Sequence, residues 1–132
     1  MKGVKPVLVV DNGSMKSAPK APTWLSKDAR AEWNRVAPLL VERRILTKAD
    51  LAGLENYCIA IGHVREAERH VQEHGQVAET FKQLPTGGIV SLGMKRNPSV
   101  GIVAEATNRA RLLAAELGLT PVSRSRPSIR DE

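Results

Sequence analysis

The sequence predicts a mainly α-helical protein with a small β-hairpin between its second and third helices. Three observations carry that expectation. Apolar residues recur at helical spacing in three separate stretches, each stretch opens on a residue suited to capping a helix, and between the second and third the apolar pattern changes period around a Pro/Gly turn. The three principal helices are expected at about residues 26–43, 48–74 and 98–117, with the hairpin at about 77–92 and flexible, basic termini on either side.

The first helix opens at Ser26, with Asp28 in the first turn, where the helix dipole favours an anion. Its apolar positions are Ala29, Trp33, Val36 and Leu40, and Trp24, just before the cap, can fold back on the first turns. Pro38 falls inside the pattern and should kink or end the helix, which stops near Arg43-Arg44. The second helix opens on Thr47-Lys48-Ala49-Asp50, where Asp50 can reach back to Thr47 as in a capping box. Its stripe runs Leu51, Leu54, Cys58, Ile61, Val64, Ala67 and Val71, about 40 Å of helix ending before Gly75. Arg65, Glu66, Glu68, Arg69 and Glu73 read as a solvated, salt-bridged outer face. Val77 to Phe81 and Ile89 to Leu92 flank Pro85-Thr86-Gly87-Gly88 as two short strands, with an irregular loop as the alternative. Asn97-Pro98 is a strong start for the third helix, whose stripe is Val103, Ala106, Ala110, Leu113 and Leu117 and whose natural stop is Gly118. Ile102, Leu112 and Leu119 lie off that stripe and suggest packing against another subunit.

The domain organisation that follows is a flexible basic arm at 1–22, a helical core and oligomerisation domain with the hairpin at 23–119, and a flexible basic tail at 120–132. The 132 residues carry a net charge of +6, unevenly placed. Lys2, Lys5, Lys16 and Lys20 face only Asp11 in the arm, and Arg124, Arg126 and Arg130 sit in the tail, whereas the body is nearly balanced. Basic ends on a near-neutral body suit a polyanion such as nucleic acid. Aromatic residues are too few for a base-stacking platform. The apolar run Val7 to Val10 is too short for the core of a signal peptide, and no stretch is long enough to span a membrane, so a cytoplasmic setting is expected. A single cysteine, Cys58, excludes an intramolecular disulfide and falls in an apolar stripe as a packed core thiol.

Motifs for chemistry are weak. His70-Val71-Gln72-Glu73-His74 matches H-x-x-E-H, which places two imidazoles on one helix face with a glutamate between them, and His63 lies two turns earlier. No third ligand is evident and the helix ends at once, so ordinary surface or interface histidines are expected, with no metal. Thr86-Gly87-Gly88 lacks the lysine and the strand-to-helix setting of a phosphate loop. No catalytic residue and no cofactor site emerges. The candidate DNA-binding residues are Arg43, Arg44 and Lys48 in the turn between the first two helices, Lys95 and Arg96 before the third, and Lys16 and Lys20 in the arm. The turn can belong to a helix-turn-helix or to a plain antiparallel helix pair.

The order of Pro22-Thr23-Trp24-Leu25, Ala31-Glu32-Trp33-Asn34-Arg35, Leu46-Thr47-Lys48-Ala49-Asp50, Tyr57-Cys58, Gly75, Asn97-Pro98 and Glu116-Leu117-Gly118-Leu119-Thr120-Pro121-Val122-Ser123-Arg124 resembles the phage small terminase subunits, in the branch ending with an "lGLTPxSR" signature. The likeness covers residues ~22–126. It implies a non-enzymatic, helical protein that forms a homo-oligomeric ring, binds packaging-site double-stranded viral DNA in the host cytoplasm, and recruits and regulates the large terminase, which holds the ATPase and nuclease. The tail residues Ser123, Arg124, Arg126 and Arg130 are the candidate contact for the large terminase. The alternative is a dimeric, basic helix-turn-helix regulator.

Overall fold

The computed structural model describes residues 13–121. Its elements are α1 (Lys27–Glu42), a single 3-10 turn (Lys48–Asp50) leading into α2 (Leu51–His74), the antiparallel strands β1 (Val77–Gln83) and β2 (Ile89–Arg96), and α3 (Pro98–Glu116). The fold class is the expected one: three helices with a two-stranded ribbon between the second and third.

Local chemistry sets each boundary. Ser26 Oγ accepts from the Ala29 amide at 3.2 Å and starts α1. Pro38 does not end the helix, which runs on to Glu42. Asn34 and Pro38 both face solvent, so water can take the carbonyl that Pro38 leaves without a donor. Asp50 reaches back to the Thr47 amide at 3.0 Å and hydroxyl at 2.8 Å, fixing the entry to α2. Asn97 caps α3 by accepting from the Ser99 amide at 2.9 Å, with Pro98 in the first turn. Gly118, at φ +77°, turns the chain after α3 in a conformation that favours glycine.

α2 is the central element, and α1 and α3 both pack along it. The core comprises Leu25, Ala29, Trp33, Val36 and Leu40 from the α1 side, Leu46 from the turn, Leu54, Tyr57 and Cys58 from α2, and Ala110 and Leu117 from the α3 side. Full burial of a leucine or valine contributes roughly 1.5–3 kcal/mol. Leu25, and not Trp24, folds onto the helices; Trp24 remains 64% exposed. Residues 13–22 run beside the α1–α2 hairpin. Ser14 bridges Thr47, the Met15 amide donates to the Leu46 carbonyl at 2.8 Å, and the Trp33 indole donates to the Pro19 carbonyl at 2.9 Å.

The ribbon is longer than the sequence implied, ending at Arg96 and not near Leu92. A bulge at Thr80/Phe81 shifts the register so that Thr80 pairs with Gly93 and Phe81 with Ser91, leaving Leu92 as the extra residue. Gly93, at φ +86°, supplies the left-handed backbone that this irregularity uses.

Candidate nucleic-acid interface

At the turn between α1 and α2, Arg43 caps the first helix, and Arg44 follows in the left-handed region at φ +57°, where glycine is the usual occupant. Lys48 opens the 3-10 turn two residues after the buried Leu46. The Ser14–Thr47 bridge lays the preceding strand of chain across this end, so that Lys16 and Lys48 line one open cleft of about 650 Å³ together with Ser14, Ser17 and Thr47. The side chains of Arg43, Arg44, Lys16 and Lys48 all lie at the solvent surface. Four of the seven candidate cations therefore gather at one end of the molecule.

The other three do not join them. Lys20 is exposed next to Pro19, whose carbonyl is fixed to Trp33 within α1, and it does not line the cleft. Lys95 and Arg96 are the last residues of β2, beyond the far end of α2, whose 24 residues span roughly 36 Å. Ser123, Arg124, Arg126 and Arg130 lie outside the described residues.

The helix pair that presents the cleft is held by charge as well as by apolar packing. Glu32 is fully buried, and four donors meet its carboxylate. Arg35 Nε and Nη2 donate at 2.8 and 2.5 Å, the Tyr57 hydroxyl at 2.5 Å, and Arg65 Nη2 at 3.0 Å. Burial alone would push this carboxyl towards protonation; the hydrogen bonds from Arg35 and Tyr57 and the two guanidinium charges outweigh it and hold it below the usual value. Burial and the same carboxylate push the Tyr57 phenol up. One turn earlier in α1 and one later in α2, Arg69 pairs with Asp28. The steps 28 to 69 and 32 to 65 advance in opposite directions along the two helices, so α1 and α2 run in opposite senses.

Two of the three histidines lie together and the third apart. His70 Nδ1 lies 3.1 Å from Asn97 Nδ2 and 3.2 Å from Ser99 Oγ, and its ring centroid is 4.3 Å from that of His74, tilted by 37°. His63 instead lines a groove between α2 and α3 with Asn56 and Arg109. Among the described residues no three His, Cys, Asp or Glu side chains come together to hold a metal ion. Cys58 is buried, and that burial, with Glu32 nearby, pushes its thiol up to about 12.

Sequence reasoning missed the Glu32 network and the Lys16–Lys48 juxtaposition. The first had a signal, because Glu32 falls one turn after Ala29 and one before Val36, within the buried stripe. The second depends on a chain crossing 33 residues apart, between Ser14 and Thr47, and had none.

The sequence profile described as phage terminase, small subunit, matches residues 29–132. The chain belongs to that family. No curated protein and no solved structure matches it. No helix among the described residues is long and apolar enough to cross a membrane.

Proposed function

We propose that this chain is the DNA-recognition subunit of a phage genome-packaging motor. It binds packaging-site double-stranded DNA as a homo-oligomeric ring in the host cytoplasm and recruits and regulates the large terminase. It has no catalytic role of its own; the ATPase and nuclease belong to that partner. The observation that carries the reading is the presence of Arg43, Arg44, Lys48 and Lys16 at one end of the α1–α2 pair, where Lys16 and Lys48 line an open cleft. Such cations suit backbone phosphates, and a ring repeats them around its axis, so that weak single contacts add through multivalency.

Affinity for packaging-site DNA should fall steeply with salt, with a slope of roughly 0.9 per phosphate neutralised. Replacing Arg43, Arg44 and Lys48 together by Ala should weaken binding and flatten that slope. Unchanged affinity would remove this end as the DNA surface and leave Lys95, Arg96 or Lys20 to be tested in the same way. A solution mass of ~29 kDa, twice the 14.4 kDa chain, would favour the dimeric regulator over the ring. The tail residues Ser123, Arg124, Arg126 and Arg130 meet the large terminase in this reading. Truncation after Pro121 should abolish co-purification with it, and retained binding would move the contact into the helical body.

A further inference from the structure

The ribbon is the part of the molecule that the other described residues leave bare. Every residue of β2 is exposed, and in β1 only Thr80 is less so. Among the described residues no helix packs over either face. The ribbon root is nevertheless fixed, since the Asn97 amide donates to the Gln76 carbonyl at 2.7 Å and the buried Asn97 side chain donates to the Gly75 carbonyl at 2.9 Å.

The pairing register sorts the side chains. Directly paired residues share a face, so Val77, Glu79, Phe81 and Gln83 lie on one side with Arg96, Met94, Ser91 and Ile89. Ala78, Thr80 and Lys82 lie on the other with Lys95, Gly93 and Val90. The hydrogen bond from Ser91 Oγ to Glu79, at 2.6 Å, agrees with the first grouping. The first face carries four exposed apolar side chains among its polar ones: Val77 is 54% exposed, Phe81 60%, Ile89 72% and Met94 63%. The second carries both lysines of the ribbon.

We propose that the face bearing Val77, Phe81, Ile89 and Met94 is a self-association surface, covered in the assembled protein by a second copy of this chain. The inference rests on the oligomeric reading above and assigns an element to it. Three features favour a second copy as the occupant. The four side chains expose on the order of 400–500 Å² of apolar surface, over half of the roughly 800 Å² that each partner of a standard interface buries. An isolated two-stranded hairpin is marginal in water, so each copy's ribbon gains its order from being covered. Glu79 and Arg96 sit on this same face with opposite charges, so neither copy presents a like-charge block to the other.

The test is the mass in solution of the full chain, measured by light scattering over a range of concentrations matched between wild type and variants. Phe81→Lys with Ile89→Lys should reduce the wild-type oligomer to the 14.4 kDa monomer. Ala78→Lys with Val90→Lys adds the same charge on the opposite face and should leave the mass unchanged. An oligomeric wild type whose mass survives Phe81→Lys/Ile89→Lys overturns the ribbon assignment while the ring reading stands. A wild type that is monomeric at all concentrations overturns both. Unchanged mass with lost DNA affinity would make the ribbon a nucleic-acid surface and equally defeat the proposal. Amide hydrogen exchange on the wild type gives a readout that needs no variant: protection of β1 and β2 should rise with protein concentration, and concentration-independent exchange would count against the interface.

Discussion

The α1–α2 pair and the β1–β2 ribbon break the same rule in opposite directions. In the helix pair a carboxylate, Glu32, is fully buried; in the ribbon Val77, Phe81, Ile89 and Met94 stand in solvent. The first exception is resolved inside the chain, since Arg35, Tyr57 and Arg65 supply every hydrogen bond that a buried carboxylate demands. The second has no resolution among the described residues. The difference separates two kinds of work: the helices carry the core of the protomer, and the ribbon carries apolar surface that no other described element covers.

The largest test of that division compares equivalent truncations in the two regions. Leu54 is wholly buried between the helices, so Leu54→Ala should cost about 3 kcal/mol, the transfer term plus a cavity. Phe81→Ala removes a larger side chain from the ribbon, yet in dilute, dissociated protein it should cost less than about 0.5 kcal/mol. Urea unfolding followed by helical circular dichroism reads both as midpoint shifts at constant slope. A Phe81→Ala cost comparable to that of Leu54→Ala would mean that the ribbon belongs to the helical core after all.

A second test asks whether Glu32 is the keystone that its surroundings imply. Glu32→Gln keeps the size and removes the charge that Arg35 and Arg65 face, and should cost on the order of 2–3 kcal/mol, at or below the lower end for a broken buried pair. Both arginines reach solvent in part and can rehydrate, which limits the loss. The pH dependence has a definite sign. The folded carboxyl titrates below its ordinary value of 4.5, so its stabilisation is complete above that value and is lost as pH falls through the lower, folded one. Wild type should therefore lose stability below about pH 4.5, and Glu32→Gln should lose much less over the same interval. Parallel acid limbs in the two proteins would assign the acid sensitivity to other carboxylates, Asp28 first among them.

Much of this fold is legible in the sequence because its boundaries are written locally. Ser26, Thr47 with Asp50, Asn97 with Pro98, and Gly118 each act within a few residues of themselves. What was not legible depends on residues far apart. Arg65 reads as part of a solvated face, and only the antiparallel docking of α1 reveals that it reaches Glu32, 33 residues away. The full length of β2 was hidden because the bulge at Leu92–Gly93 breaks the alternation by which a strand is recognised. Pro38 does not act as a stop, because it and Asn34 lie on the wet face of α1, where water can serve the carbonyl left without a donor. The basic candidates could be named from the sequence, but their division between the two ends of α2 could not.

The smallest effect lies at the joint between the two regions. Asn97 is buried and does two jobs with one side chain. Its Oδ1 caps α3 through the Ser99 amide at 2.9 Å, while its Nδ2 donates to the Gly75 carbonyl at 2.9 Å and lies 3.1 Å from His70 Nδ1. Asn97→Ala removes both and should cost about 1–2 kcal/mol, a lost cap plus the lost hydrogen bond to the Gly75 carbonyl. Asn97→Asp keeps an acceptor for the cap and loses the amide donor, so the two contributions separate. It should recover about 1 kcal/mol of the Asn97→Ala loss, since an N-cap aspartate is as good as an asparagine. Hydrogen exchange then locates the remainder. In both variants the Gln76–Val77 end of the ribbon should exchange faster, whereas the first turn of α3 should loosen only in Asn97→Ala. If both variants loosen the α3 turn equally and leave the ribbon root unchanged, Asn97 is a helix cap alone, and the ribbon is held in place by something other than this residue.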